Sequence, residues 1–296
     1  MKYYIKYYIK YYQFNGGSSS ISEKKGYIIT RLHSGLGNQL LKCFTLISLA
    51  IDNNLNFHID SSYDTTLQNI HSNRKYFYFD KIYRKGNFNT LKISNYSIKK
   101  EGDKSLINNI DINTNYFYED FWNNFFHNKD KIKQYIHIDQ VKVNLIRNKI
   151  KCSKKILSLH YRLGDYLQYE DFNVLNINYF RNALSNFNLE DYQIILFSDD
   201  ITYAIDKLKE IEIKYKIADD YFNKDELSQH LMMALSDVVI CSNSTYSLSA
   251  CIINEIFEFN TNGKYTIPYI WKKNDPEFIE DRLSKNLNEK FTIINF

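Results

Sequence analysis

The sequence predicts an α/β fold of two Rossmann-like domains facing a cleft, and three observations carry that expectation. A β-prone run, Tyr27-Ile28-Ile29-Thr30, leads through a glycine-containing turn into a helical pattern and a second short strand. Strand-like and helix-like segments then alternate from Ile156 to Pro268, as a doubly wound parallel sheet requires. The two alternations start near residues 27 and 150, so the strand ends of two halves face a common crevice, where open α/β sheets bind ligands.

In the first half, Leu40, Cys43, Phe44, Ile47 and Ile51 recur at helical spacing on one face, and Asn53-Asn54 stops the helix. Phe57-His58-Ile59 reads as the following strand. Residues 61–150 are rich in Asn, Tyr and Lys and show no clear period, so no elements are assigned there. The aromatic cluster Tyr116-Phe117-Tyr118, Phe121, Trp122, Phe125 and Phe126 is expected to pack in the core, with sugar stacking as the alternative. In the second half, strands are expected at Ile156–His160, Ile194–Phe197, near Tyr215, at Val238–Cys241 and ending at Pro268. Helices are expected around Tyr179–Phe187, Ile201–Leu208, Leu227–Leu235 and Leu248–Ile256.

Composition narrows the function classes. The 296 residues include 26 Tyr, 20 Phe and 2 Pro, and 44% are apolar, enough to fill two cores. A formal charge of +4, spread along the chain, lacks the basic patch of a nucleic-acid binder. Cys43, Cys152, Cys241 and Cys251 show no CxxC spacing, so buried reduced thiols are expected and neither a zinc site nor a disulfide framework is. Residues 1–26, a Lys-Tyr-Tyr-Ile repeat followed by a Gly/Ser linker, are set apart from the fold. An interfacial anchor with weak peripheral membrane contact is the alternative reading of that head. No stretch is long and apolar enough for a transmembrane helix or a secretory signal, and a cytoplasmic location is expected.

Candidate chemistry gathers at strand ends. His160-Tyr161-Arg162-Leu163-Gly164-Asp165 follows a buried-looking strand. A guanidinium there suits a phosphate, because it stays charged and presents a rigid fork of donors. Asp165 is placed to orient Arg162, and His160 to donate to a nucleotide; an ordinary salt bridge is the bland alternative. Ser242-Asn243-Ser244-Thr245 lies between a strand and a helix, where hydroxyls and free N–H groups bind phosphate or simply cap the helix. Phe197-Ser198-Asp199-Asp200 offers paired acids for a ribose, a metal or a cap. A dehydrogenase is disfavoured because no GxGxxG with a following acid accompanies Tyr27 to Ile59.

Taken together, Gly35-Leu36-Gly37-Asn38-Gln39, His160-x-Arg162-x-x-Asp165, Phe197-Ser198-Asp199-Asp200 and Asn243-Ser244-Thr245-Tyr246-Ser247 resemble the α-1,2-fucosyltransferase family in order and spacing, over residues 27–272. The resemblance implies a GT-B type, inverting transferase that moves fucose from GDP-β-L-fucose to a galactose-containing glycan acceptor without a metal or cofactor. It implies an acceptor-side domain at 27–150 and a GDP-sugar domain at 151–296. Arg162 resembles the arginine that holds the donor diphosphate, with His160 and Asp165 in the flanking motif positions. Gly35, Gly37 and Asn38 match the loop facing the donor; Asp199, Asn243, Ser244, Thr245 and Ser247 match donor-side positions. His33, beside the glycine loop, is the candidate base. The sequence departs from the family at Leu163, where a second Arg is usual, at Ser34 for Gly, at Gln229 for an acid, and at Leu248-Ser249 for an aromatic pair. Those departures keep another GDP-sugar, another acceptor, or an inactive glycan- or nucleotide-binding module open as alternatives.

Overall fold

The computed structural model describes residues 27–31, 35–60, 97–99, 116–118, 124–168, 170–273 and 287–295. The head (1–26), His33, Phe121 and Trp122 lie outside the described residues. The first half opens with β1 (Tyr27–Arg31), α1 (Leu36–Asp52) and β2 (Asn56–Asp60). Two short strands, β3 (Ser97–Lys99) and β4 (Tyr116–Tyr118), complete a parallel sheet in the order β2-β1-β4-β3. Neither strand is legible in the sequence, because each is three residues long, too short for a period to show.

Two helices lead to the second half, α2 (Lys129–Tyr135) and α3 (Gln140–Ile150), the latter capped by Asp139, whose carboxylate accepts from Val141 and Lys142 N–H. Then follow β5 (Lys155–Tyr161), α4 (Ile177–Leu184), β6 (Tyr192–Ser198), α5 (Ile201–Leu208) and β7 (Tyr215–Ile217). The chain continues through α6 (Asp219–Phe222), α7 (Glu226–Ala234), β8 (Val238–Ile240), α8 (Thr245–Phe257), β9 (Lys264–Pro268) and β10 (Phe291–Ile294). Their six strands form a second parallel sheet, β10-β9-β8-β5-β6-β7. From β5 the chain builds outward through β6 to β7, then returns to the other side with β8. The strand order therefore reverses between β5 and β8, and a crevice opens at their carboxyl ends.

The expected one-sided helix at 40–51 is instead buried nearly all round. From Leu36 to Ala50 only Asn38 escapes full burial. The reason is packing from two directions: α1 lies against β1 on one side and against α8 on the other. A helix covered on both sides needs no polar face. One apolar cluster runs continuously through Leu40, Phe44 and Ile47 of α1 to Leu248, Cys251 and Ile252 of α8. Phe125 joins it against Phe44, ring centroids 5.5 Å apart, so this part of the aromatic cluster is core. The thiols of Cys43, Cys241 and Cys251 are buried as expected, but Cys152 is exposed.

Gly37 sets the α1–α8 contact. A Cβ added there would stand 2.3 Å from the carbonyl carbon and oxygen of Thr245, main-chain atoms that no rotamer change can move. Gly37→Ala is therefore expected to lower stability by about 1–3 kcal/mol, although alanine is the better helix former. Urea unfolding checks this, and a variant as stable as the parent would show that the helices do not need the close approach.

Candidate active site

Three loops meet at the strand-order reversal. The segment after β5 carries Arg162, the segment after β6 carries Asp199, and the segment after β8 carries Ser242 to Thr245. They are tied together by their own polar groups. Arg162 N–H donates to Ser242 Oγ at 3.1 Å, and Leu163 N–H donates to Asp199 Oδ1 at 2.8 Å. Ser198 Oγ donates to the Tyr161 carbonyl at 2.7 Å.

Arg162 sits at the centre. Its Nη2 lies 2.5 Å from Asp165 Oδ1 and its Nη1 lies 2.8 Å from Asp199 Oδ2, so two carboxylates grip the guanidinium from different loops. The guanidinium also lies over the Tyr166 ring, 5.3 Å from its centroid, and that ring stacks on Phe172 at 4.2 Å. Tyr166 OH donates to the Asn243 carbonyl at 3.0 Å, and burial pushes its phenol well above the usual range. Only 17% of the Arg162 side chain is exposed. Two of five N–H donors are engaged by Asp165 and Asp199, and the buried Nε has no partner among the described residues. Gly164 permits the grip: a Cβ there would stand 2.3 Å from Asp199 Oδ2.

A cavity of ≈ 290 Å³ opens beside this cluster. His160, Arg162, Phe197, Ser198 and Asp199 line it from β5 and β6 and the segments after them, Asp219, Lys224, Glu226 and Gln229 from the segment after β7 through α7, and Tyr246 from the first turn of α8. Its volume matches the lower end of small-ligand pockets, about 300 Å³. A second cavity of ≈ 480 Å³ near Gly263, Lys264 and Lys290 lies at the opposite, amino-terminal ends of β9 and β10, away from the reversal. The position of the smaller one, at the carboxyl ends, makes it the candidate site.

The remaining sequence candidates fall into two groups. Asp199 faces the cavity, while Asp200 accepts from Tyr203 N–H and caps α5. Asn243 is buried and donates to the carbonyls of Asn173 and Trp271, so its side chain braces loops. Ser244 caps α8 by accepting from Tyr246 N–H at 3.3 Å. Ser247 is buried and donates to main-chain carbonyls. Thr245 opens α8 with its main chain against Gly37; Gly35 precedes α1, and Asn38 is partly exposed in its first turn. The close approach that Gly37 allows is taken up by protein main chain. His33 lies outside the described residues.

Two departures from the family pattern acquire a physical account. Leu163 is fully buried in the cluster beneath β5 and β6, so position 163 points into the core. Ser249 is buried and pairs with His230 Nε2 at 2.8 Å, and the His230 ring packs edge-on to Tyr246 at 5.0 Å. An imidazole thus fills the space beside a small residue. His230, Asp219 and Lys224 stand outside the sequence motifs, and Tyr246, though inside one, has no assigned role there; the fold brings them together from the start of α8, from α7 and from the segment between β7 and α7.

Geometry and topology define a class, a GT-B-type α/β protein of two parallel sheets with a guanidinium site at the reversal of the second. The family model described as glycosyl transferase family 11 matches residues 5–284. The chain therefore belongs to glycosyl transferase family 11 and is a glycosyltransferase. No curated protein matches it. Among solved structures, the selenomethionine fucosyltransferase NodZ from Bradyrhizobium is similar at 13% identity, covering 77% of this chain and 92% of that one, with a TM-score of 0.50. A mutant of Arabidopsis thaliana FUT1 in complex with GDP shows 11% identity over 84% of this chain and 71% of that chain, TM-score 0.45. POFUT1 in complex with GDP-fucose shows 11% identity over 78% and 94%, TM-score 0.45.

Burial fixes the protonation of both histidines at the site. Desolvation first, then the charges of Arg162 and His230, lower His160 from 6.5 to about 3, and desolvation lowers His230 from 6.5 to about 3. Both rings are neutral at pH 7. An unfolded chain protonates them near pH 6.5, whereas the native chain resists down to about 3, so unfolding takes up protons across that window. Stability should fall with pH below about 6.5, by up to roughly 1.4 kcal/mol per histidine per pH unit. Urea unfolding of the parent and of His230→Gln at pH 7 and pH 5 tests this. The variant should lose less stability on acidification, and an equal loss would contradict the assignment.

Proposed function

We propose that this glycosyltransferase moves L-fucose from GDP-β-L-fucose to the 2-hydroxyl of a β-galactoside with inversion. The observation that carries the reading is Arg162: a permanently charged group, fixed by Asp165 and Asp199, beside a cavity at the strand-order reversal, with N–H donors to spare. Family membership supports sugar transfer, and the fold neighbour NodZ is a fucosyltransferase. The α-1,2 linkage and the galactoside acceptor are drawn from the motif resemblance at residues 35–39, 160–165 and 243–247.

In the proposed reaction the acceptor hydroxyl oxygen attacks the anomeric carbon from the face opposite the diphosphate. The bond between that carbon and the β-phosphate oxygen breaks, its electron pair staying on the diphosphate, and the acceptor gives up its proton, with His33 as the proposed base. Arg162 meets the charge that grows on the departing diphosphate. A cation already fixed in place does not have to reorganise as the charge appears, which lowers the barrier. The amino-terminal turn of α8, beginning at Thr245, adds positive partial charge near the same end of the cavity. The reaction is proposed to need no metal, and undiminished turnover in EDTA is the expected result.

Arg162→Ala should lower turnover on GDP-fucose and a β-galactoside by about 10²- to 10³-fold while leaving the far-ultraviolet dichroism intact. Product analysis by nuclear magnetic resonance identifies the linkage. Activity within twofold of the parent's, on the order of the scatter of such assays rather than of a lost charge contact, would remove Arg162 from the mechanism.

A further inference from the structure

The two carboxylates do not fix Arg162 completely. Asp165 holds Nη2 and Asp199 holds Nη1, so both contacts are made at the terminal nitrogens. Guanidinium N–H groups point outward in the plane of the group. Two such contacts fix the line through the terminal nitrogens, and tilt about that line is left to some other contact.

Tyr166 supplies it. The central carbon of the guanidinium stands over the Tyr166 ring, 5.3 Å from its centroid, inside the roughly 6 Å over which a ring face attracts a cation. This contact acts on the centre of the charged group, where the carboxylates act on its ends. The ring is itself held on two sides. It stacks on Phe172 with centroids 4.2 Å apart and planes 10° apart, and its hydroxyl donates to the Asn243 carbonyl at 3.0 Å. Both supports belong to segments that are tied to one another. Phe172 forms an antiparallel bridge with Lys272, and Lys273 N–H donates to the Asp171 carbonyl at 3.1 Å. The Asn243 side chain donates to the Asn173 and Trp271 carbonyls at 2.6 and 3.0 Å. The ring thus stands where residues 166–173, the segment after β8 and residues 271–273 are joined. Arg162 lines the cavity and Tyr166 is not among the described residues that do, so the ring reaches a ligand only through the cation.

We propose that Tyr166 is a positioning residue of the transfer reaction: its ring sets the tilt of the Arg162 guanidinium and so aims the unengaged N–H donors at the departing diphosphate. The inference rests on the reading of Arg162 as the cation that meets the diphosphate, and it adds what orients that cation. A misaimed donor costs most where charge has grown most, which is in the transition state. Loss of the ring therefore lowers kcat more than it raises KM.

Steady-state kinetics with GDP-fucose and a β-galactoside test the assignment, with far-ultraviolet dichroism as the check on folding. Tyr166→Leu should lower kcat by about tenfold, within the range of one cation–π contact to a partly buried cation, and change KM for GDP-fucose by less than about threefold. Tyr166→Phe keeps the ring and loses only the bond to Asn243, so its kcat should fall by about threefold. Phe172→Leu removes the ring behind Tyr166, should lower kcat by about threefold, and serves if Tyr166→Leu does not fold. A folded Tyr166→Leu, or Phe172→Leu in its place, with the parent's kcat overturns the proposal. So does a rise in KM with kcat unchanged, and so does an equal loss in Tyr166→Leu and Tyr166→Phe, which would assign the effect to the hydroxyl. In each of these cases an impaired Arg162→Ala leaves the transferase reading in place. An Arg162→Ala variant as active as the parent overturns the diphosphate reading of Arg162 itself.

Discussion

The site depends on one constraint, a guanidinium held between two carboxylates from different loops. Removing one partner from a partly buried ion pair strands the other charge, at a cost of about 3–5 kcal/mol. Arg162, Asp165 and Asp199 therefore stand or fall together, and they carry the loops after β5 and β6 with them. Leu163 N–H on Asp199 and Arg162 N–H on Ser242 extend the same constraint into the main chain. The result is a preset cation: the energy of positioning it is met by folding, before any substrate arrives. Gly164 matters for the same reason, since any side chain there would displace the carboxylate that holds the cation.

A second constraint joins the two halves. Glycine in the first turn of α1 lets that helix come within contact of the main chain at the start of α8, and the apolar residues behind it merge into one cluster. The glycine motif in the first half thus acts on the site through packing. It fixes the start of α8, whose residue Tyr246 lines the cavity. Tyr246 then stands between His160 and His230, with ring centroids 5.5 and 5.0 Å away, and burial keeps both imidazoles neutral. Tyr246 and the fixed cation Arg162 line one cavity, together with the charged side chains of Asp199, Asp219, Lys224 and Glu226.

Much of the second half was legible beforehand because its strands and helices are long enough to show a period and end in turn or cap residues. Ile194–Phe197 and Ile201–Leu208 are examples, the latter begun by Asp200. Residues 61–150 were not legible. The strands there that the structure describes, Ser97–Lys99 and Tyr116–Tyr118, are short, and α2 and α3 bury few side chains, Ile132 in the one and Val143, Ile146 and Ile150 in the other. The strand β10 was missed for a related reason: it lies at the sheet edge, with Thr292 and Ile293 exposed, and lacks a buried pattern.

By itself the sequence determined the alternation of strands and helices and the position of Arg162 after a strand, because both follow from local periodicity and from residue types at chain turns. It could not decide which side chains of the motifs face a ligand. Asn243 and Ser247 look like ligand groups in the sequence and serve main-chain carbonyls in the structure, while Asp219, Lys224 and Gln229, outside the motifs, line the cavity. That choice belongs to the tertiary structure alone, since it is made by the strand order: β7, β5 and β8 are distant in sequence, and only their pairing in one sheet brings their following loops to a common wall.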